Sequence, residues 1–325
     1  MRIQKYLSEV PHGIMFHHFH DARHPRGQGS VSQEDFDAIL RCVGLDHILS
    51  PEEWLERLAQ RRLTNGQVCL TFDDALRCQF DLALPVLAQH KLTAFWFVYS
   101  SVFEGQMEKL ELYRVFRSTR FQQIDEFYEQ FFRRVFASAF SQRAHAVLTE
   151  DDEIRRRLEW FPFYSVNDVK FRLVRDRVLG KRAYEQIMDE MVLEAGLSLE
   201  GLSKGVWMSN DDLRHLSRQG HAVGLHSYSH PTALAELSLA AQREEYERNA
   251  AHLRQTCGVA PLAMAHPCNS YTGRTLAILK QLRIRCGFRS NMAPPQDGGA
   301  MNPTPWELAR QDHANVMRRL GRSLS

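Results

Sequence analysis

The stretch QVCLTFDDA, residues 67–75, decides the fold. Its first six residues form a short apolar run rich in β-formers, which predicts a buried strand, and two carboxylates, Asp73 and Asp74, follow directly. A helix-like segment at 79–90 and a second buried strand at 93–98 come next. Strand, helix and strand at this spacing predict parallel β/α structure with both carboxylates at a strand end.

Helix-start signals support the same interpretation. Ser50, Pro51 and Glu53 occupy the N-cap, N1 and N3 positions of a predicted helix. Ser32 and Ser209 are plausible N-caps of two others. Further strands are predicted at 13–16, 221–226, 260–267, 283–290 and 305–312.

The β/α alternation stops between residues 106 and 196. This part is rich in Arg, Glu, Phe and Tyr with helical periodicity, for example at 124–140, and contains no convincing strand. We therefore predict one domain over 1–325 with a helical insertion at 106–196. The aromatic stretch 159–176 either forms the core of the insertion or presents some rings to a substrate.

Composition excludes several classes of protein. The formal net charge is +2 and the pI about 8.2, which implies no strong attraction to nucleic acid. The six cysteines include no C-x-x-C pair, so neither a disulfide framework nor a zinc ribbon is expected. The first ten residues lack a secretory apolar region, and no apolar run is long enough to span a bilayer. We expect a cytoplasmic protein without membrane insertion.

Two motifs contain residues suited to proton transfer and metal binding. Asp73 and Asp74 are adjacent at a strand end and point to different sides, so one can bind while the other transfers a proton. His226 and His230 in GLHSYSHP are four residues apart, and both imidazoles can converge on one ion. One carboxylate and two histidines leave open coordination positions, which suits a catalytic divalent metal.

A third histidine-rich stretch, GIMFHHFHD at 13–21, is ambiguous from the residues alone. His17, His18 and His20 follow a short apolar run, and at most two of them share one face of an extended chain. A metal site, a proton relay and ordinary polar residues at a strand end are all open interpretations.

LTFDDA (70–75), GLHSYSHP (224–231) and MAHPCNSY (264–271) resemble, in that order, the first three motifs of the NodB-homology polysaccharide deacetylases, carbohydrate esterase family 4. The resemblance covers roughly residues 10–100 and 205–315. It implies a distorted (β/α)7-type barrel with the site at the carboxyl ends of the strands.

The resemblance also implies roles for individual residues. Asp74, His226 and His230 would bind one divalent metal ion, zinc foremost, with cobalt or nickel as alternatives. Asp73 would be the general base that takes a proton from the attacking water. The backbone N–H of Cys268 would help to hold the oxyanion.

The acid of the family usually lies in a Leu-x-His strand end near the C-terminus, and this chain has none there. Members with a permuted order carry that strand first, and Met15-Phe16-His17 is similar to it. His17 is therefore the candidate general acid, while His18 and His20 are expected to support it or to lie on the surface.

The chain departs from the family at three positions. Ala75 replaces the glycine of TFDDG, Ala265 stands where an arginine often orients the base, and His266 stands where tyrosine is frequent. Arg310 resembles the arginine that orients the base in permuted relatives, and we assign it that role.

The resulting hypothesis is a metal-dependent hydrolase that removes an N-acetyl group from an amino sugar of a surface-polysaccharide precursor or glycan. The insertion at 106–196 is predicted to cap the pocket, because the interval it fills is longer than a β/α unit needs. A deformylase or small cyclic-amide hydrolase with the same metal site, and an inactive relative that binds a glycan, stay open. The oligomeric state is left open.

Overall fold

The computed structural model describes residues 10–160, 164–296 and 298–321. Most of the first ten residues, and residues 161–163 of the aromatic stretch, therefore lie outside the described part of the chain. The rest divides into two compact units. The barrel unit comprises the residues up to His24, Ser30–Glu108 and those from Gly205 onward; the helical unit comprises Pro25–Gly29 and Lys109–Lys204.

The barrel unit contains one sheet of seven parallel strands in the order β6-β5-β4-β3-β2-β1-β7. A further parallel bridge joins Phe288 to Leu308, so the chain leading into the last strand contacts the opposite edge and nearly closes the barrel. This confirms the predicted (β/α)7-type barrel. The strands are β1 (His12–Phe16), β2 (Val68–Asp73), β3 (Phe95–Val98), β4 (Ala222–Leu225), β5 (Ala263–Ala265), β6 (Cys286–Phe288) and β7 (Arg310–Asp312).

Strand β2 shows how the sheet positions the site. All six of its residues are buried, as expected for a parallel strand covered on both faces. Because side chains alternate, Cys69, Thr71 and Asp73 share one face and Phe72 lies on the other. Cys69 packs in the barrel core with Phe95, Phe97, Ala263, Ala265, Cys286, Phe288 and Leu308.

The helices of the barrel unit begin largely where their caps predict. Ser50 and Glu53 form a reciprocal capping box, and the side chains of Ser32 and Ser209 each accept a hydrogen bond from the first turn. The predicted segment 79–90 begins with a π-helical turn, Gln79–Ala83. The α-helices of this unit are Gln33–Val43, Pro51–Ala59, Leu84–Gln89, Asn210–Arg218, Leu239–Cys257, Gly273–Gln281 and His313–Arg319.

The helical unit contains only helices and loops within its described residues. Its aromatic side chains form its own core, in which Phe127, Phe131 and Phe171 are fully buried. Tyr128 and Tyr184 are also buried there. The α-helices are Lys109–Arg120, Ile124–Phe136, Ser141–Leu148, Asp151–Trp160, Val166–Leu173, Gly180–Glu194 and Leu199–Ser203, with a π-helical turn at Val174–Leu179.

Several boundaries differ from those predicted. The helical unit continues beyond residue 196 to Lys204 and includes the distant segment Pro25–Gly29. Strands β5, β6 and β7 are each three residues long, shorter than the segments predicted for them. Among the described residues, no helix is long and apolar enough to cross a membrane.

Candidate active site

Asp73, the last residue of β2, is held by a buried arginine from the other end of the chain. Arg310 Nη1 donates to Asp73 Oδ1 at 2.7 Å and Nη2 donates to Oδ2 at 2.8 Å. The two side chains are 1% and 2% exposed. Burial alone would raise the pKa of Asp73, but the Arg310 charge outweighs burial and lowers the pKa below its ordinary value. The ionised carboxylate is thus fixed in orientation.

Two further contacts and the space at Gly13 hold Arg310 in place. Its Nε donates to the Arg289 carbonyl at 2.6 Å, and Nη1 also lies 3.3 Å from Thr71 Oγ1. Gly13 leaves room for the side chain, because a Cβ there would lie 3.0 Å from Arg310 Cγ. Arg310 therefore occupies the position expected of an arginine that orients Asp73.

Asp74 faces two imidazoles instead. Its Oδ1 lies 3.4 Å from His226 Nε2 and 3.6 Å from His230 Nε2. Both distances exceed an ordinary hydrogen bond, and this buried oxygen has no hydrogen-bond partner among the described residues. One ligand atom from each of the three side chains lies within 4.8 Å of the others.

The surroundings of His226 fix which nitrogen faces Asp74. Its Nδ1 lies 2.9 Å from the Ala265 carbonyl, which can only accept, so Nδ1 carries the proton and Nε2 offers a lone pair. Its backbone N–H donates to Asn249 Oδ1 at 3.0 Å, and the Asn249 amide donates to the Val98 carbonyl. The ring of His226 is thus aimed before any ligand arrives.

Electrostatics at the histidines follow burial and charge. Burial lowers the pKa of His230 to about 4, so this imidazole is neutral at pH 7. Burial also opposes the charge on His226, but the carboxylates of Asp73 and Asp74 outweigh it and raise its pKa. Burial would raise the pKa of Asp74 as well, yet the neighbouring imidazoles hold it well below its usual range.

These residues fit a divalent metal. An orphaned buried carboxylate oxygen and two imidazole nitrogens form a mixed O/N donor set, which suits zinc, cobalt or nickel. Asp73 is ion-paired with Arg310 and does not belong to this donor set. Of the two adjacent carboxylates, Asp73 is thus hydrogen-bonded to the Arg310 guanidinium and Asp74 belongs to the donor set.

His17 directly follows β1 and lies beside both carboxylates. Its Nε2 is 3.8 Å from Asp73 Oδ2 and 3.9 Å from Asp74 Oδ2, and the side chain is 28% exposed. The ring of His18 stacks beside it at 6.1 Å, whereas His20 contacts Ser30 Oγ at 2.9 Å. His17 Nε2 therefore lies within 4 Å of both carboxylates.

Gln79 is a site residue that sequence reasoning missed. Its amide nitrogen donates to the His17 carbonyl at 2.7 Å and to the Asp73 carbonyl at 2.6 Å. Its Oε1 is buried and has no hydrogen-bond partner among the described residues. One fully buried side chain therefore joins the ends of β1 and β2. The sequence offers no signal for this role; in the structure Gln79 begins a π-helical turn, and such turns are frequent at functional sites.

Cys268 lies in the turn after β5, which places it at the carboxyl edge of the barrel. The turn Pro267–Asn269 is a 3-10 element, and Cys268 itself has φ 48° and an exposed side chain. His266 precedes it, stacks on Tyr271 at 4.1 Å and contacts the Trp306 carbonyl at 2.9 Å. Burial lowers the pKa of His266 to about 3, so this residue acts as a neutral packing group.

Backbone strain concentrates at this edge. Nine non-glycine residues have positive φ in the described chain, and such conformations cluster at functional sites in general. Ala75 has φ 55°, which gives a physical reason for the glycine that the deacetylases carry there. Six of the nine belong to the three motifs: Asp74, Ala75, Ser227, His230, Cys268 and Asn269.

Comparisons with known proteins find similarity in the fold and in one segment of the sequence. A family model described as polysaccharide deacetylase matches residues 184–287. The barrel is similar to Streptococcus pyogenes deacetylase PplD, solved with acetate, at 15% identity and a TM-score of 0.54, covering 98% of this chain and 99% of that one. No curated protein shows significant similarity to this sequence.

Two other solved structures are similar over nearly their whole length. IcaB from Ammonifex degensii has 15% identity, a TM-score of 0.54 and 97% coverage of both chains. A de-N-acetylase from Aggregatibacter actinomycetemcomitans has 10% identity and a TM-score of 0.54, covering 96% of this chain and 99% of that one. At these identities the structures establish the fold. Together with the family-model match, they confirm that the chain resembles the NodB-homology polysaccharide deacetylases.

Proposed function

We propose that the barrel unit is a metal-dependent N-deacetylase that releases acetate from an N-acetylated amino sugar of a glycan or surface-polysaccharide precursor. The observation that carries the proposal is that the two adjacent carboxylates make different contacts: Asp73 is paired with Arg310, and Asp74 faces two imidazole nitrogens. Held by Asp74, His226 and His230, a divalent metal would supply a Lewis acid for the acyl carbonyl and the attacking water.

The proton transfers and the binding of the oxyanion are assigned to residues of this chain. Asp73 accepts the proton of the attacking water, and the Arg310 fork keeps its carboxylate ionised and aimed. His17 protonates the departing amine, because its Nε2 lies at the same edge as Asp73. The Cys268 backbone N–H donates to the developing oxyanion; one such donor contributes about 3–4 kcal/mol of transition-state stabilisation.

Acetate release from N-acetylglucosamine oligosaccharides tests the proposal. The zinc-reconstituted wild type should turn over, Asp73→Asn should retain metal without turnover, and His230→Ala should lose both. His47→Ala, at an exposed histidine, is the matched control and should behave as the wild type. Turnover by Asp73→Asn close to the wild-type rate would remove the base assignment.

The same assay separates the alternatives. Release of formate from N-formyl substrates in preference to acetate would indicate a deformylase. Glycan binding without turnover by the metal-loaded protein would indicate an inactive relative. The intact set of Asp73, Asp74, His226 and His230 favours an enzyme.

Two expectations stay predictions. One is that the insertion, predicted at 106–196, restricts entry to small or terminal sugars. Replacing Lys109–Lys204 by a short linker should then broaden or abolish substrate choice, and an unchanged substrate profile would count against it. The other is the cytoplasmic location, which cell fractionation would test.

A further inference from the structure

Three arginines of the helical unit lie over aromatic rings of the same unit. Arg117 Cζ lies 5.1 Å from the centre of the Phe171 ring, and Arg175 Cζ lies 5.9 Å from the same centre. Arg172 Cζ lies 4.2 Å from the centre of the Tyr164 ring. Three like charges are therefore concentrated beside apolar surface, where water screens them poorly.

Two of these guanidinium groups are not hydrogen-bonded or ion-paired to any acid among the described residues. Arg175 Nε donates to Asp176 Oδ1 at 2.6 Å. The Nε–H groups of Arg117 and Arg172 are buried, and within the described residues neither side chain makes a hydrogen bond or an ion pair. Burial lowers the pKa of Arg172; the like charges of Arg175 and Arg117 act in the same direction, and Tyr164 and Asp168 oppose them. Buried charged donors are normally paired, so these two groups are suited to bind an anion.

Among the described residues, the acids considered beside these arginines carry less negative charge than the three arginines carry positive charge. Asp168 is buried in the same unit, but its oxygens already accept hydrogen bonds from the Ser165 backbone, the Tyr128 hydroxyl and the Gln28 amide. Counting Asp168 and Asp176 against the three arginines leaves one uncompensated positive charge. Neither acid accepts a hydrogen bond from the guanidinium group of Arg117 or Arg172.

We propose that Arg117, Arg172 and Arg175 form a binding site for a phosphate group, either free or carried by a sugar. A phosphate presents three terminal oxygens and can accept hydrogen bonds from two guanidinium groups at once. The two oxygens of a carboxylate, in contrast, are both used by a single guanidinium group. The faces of Phe171 and Tyr164 form apolar walls that hold the planar guanidinium groups. The proposal concerns the helical unit alone and does not depend on the chemistry at the metal site.

Calorimetric titration of the full chain tests the site. The probes are inorganic phosphate and glucose 1-phosphate, with glucuronate as a carboxylate control, all at matched ionic strength because phosphate salts also stabilise proteins non-specifically. Phosphate binding should weaken about tenfold or more in Arg117→Met and Arg172→Met, since each loses a charge-assisted fork. Arg182→Met, at an exposed arginine of the same unit, should bind as the wild type. Binding of glucose 1-phosphate alone would identify a sugar phosphate, and binding of both probes a free phosphate group.

Thermal unfolding without ligand separates this site from simple packing. Removing an unpaired charge relieves a cost, so the Tm of Arg172→Met should equal or exceed that of the wild type. If the arginines only pack on the rings, the Tm falls and no phosphate binds, which overturns the proposal. Equal or tighter binding of glucuronate would also overturn it. Should a methionine variant fail to fold, Arg172→Lys keeps the charge without the fork, and unweakened phosphate binding there would refute the assignment.

Discussion

Replacing Arg310 by methionine should destabilise the barrel unit by about 3–5 kcal/mol, because it removes one partner of a buried ion pair. The Arg310 and Asp73 side chains are 1% and 2% exposed, so bulk water cannot compensate the carboxylate. The imidazoles of His17 and His226 lie 3.8 and 3.9 Å from Asp73 Oδ2, which is beyond hydrogen-bond distance. The substitution also deletes the donors to Thr71 Oγ1 and the Arg289 carbonyl. A loss of this size is a large fraction of the stability of a typical domain.

Urea unfolding followed by circular dichroism at pH 7 measures the loss. Arg289→Met is the matched control: Arg289 is equally buried, but it donates to backbone carbonyls and to Asn291, so its removal leaves no unpaired charge behind. Adding Asp73→Asn to Arg310→Met should recover about 1–3 kcal/mol of the lost free energy of unfolding. Adding Asp73→Asn to Arg289→Met should recover none of it. A loss below about 1 kcal/mol, or no recovery in the double variant, would refute the reasoning.

Three further predictions follow from the geometry. Gln79→Met removes both donors to the strand-end carbonyls but also an unpaired oxygen; it should cost about 2 kcal/mol in urea unfolding and lower kcat at unchanged KM, and an unchanged kcat would argue against a positioning role. Ala75→Gly should stay within about 1 kcal/mol of the wild type, because relief of positive φ offsets the lost methyl contact, whereas Ala75→Val should lose about 2 kcal/mol or more; equal effects in thermal unfolding would contradict this. Burial lowers the pKa of His221 from 6.5 to about 4, so the unfolded chain takes the proton first as pH falls. Stability should therefore drop by about 1.4 kcal/mol per pH unit between about pH 6.5 and 4 relative to His221→Gln, and parallel curves for the two proteins would refute it.

The sheet and the edge that carries the site were predictable for one physical reason. Parallel strands are covered on both faces and leave continuous apolar runs, such as 67–72 and 93–98. Polar residues directly after such runs lie at the carboxyl edge of the sheet. Asp73, Asp74 and His226 could therefore be assigned to one edge before their contacts were known.

The later strands were predicted too long because the apolar pattern continues where pairing does not. Pro261 and Pro267 flank β5, and a proline has no N–H to donate to the ladder, so the strand is confined to Ala263–Ala265. Residues 305–309 likewise lead into β7 through an isolated bridge at Leu308.

Long-range contacts were beyond pattern reasoning. Gln79 looks like any amide near a helix start, and its role depends on two carbonyls from different strands. The pairing of Arg310 with Asp73 joins residues 237 positions apart, and the family resemblance alone suggested it. The segment Pro25–Gly29 similarly joins the helical unit without any local signal.

Metal content of the purified protein, measured beside two variants, tests the central claim most directly. Wild type and Asp73→Asn should each hold about one equivalent of divalent metal per chain after reconstitution with zinc, and His230→Ala should hold little or none. If the wild type holds no metal after reconstitution with zinc, cobalt or nickel, or if His230→Ala retains a full equivalent, the assignment of Asp74, His226 and His230 is contradicted.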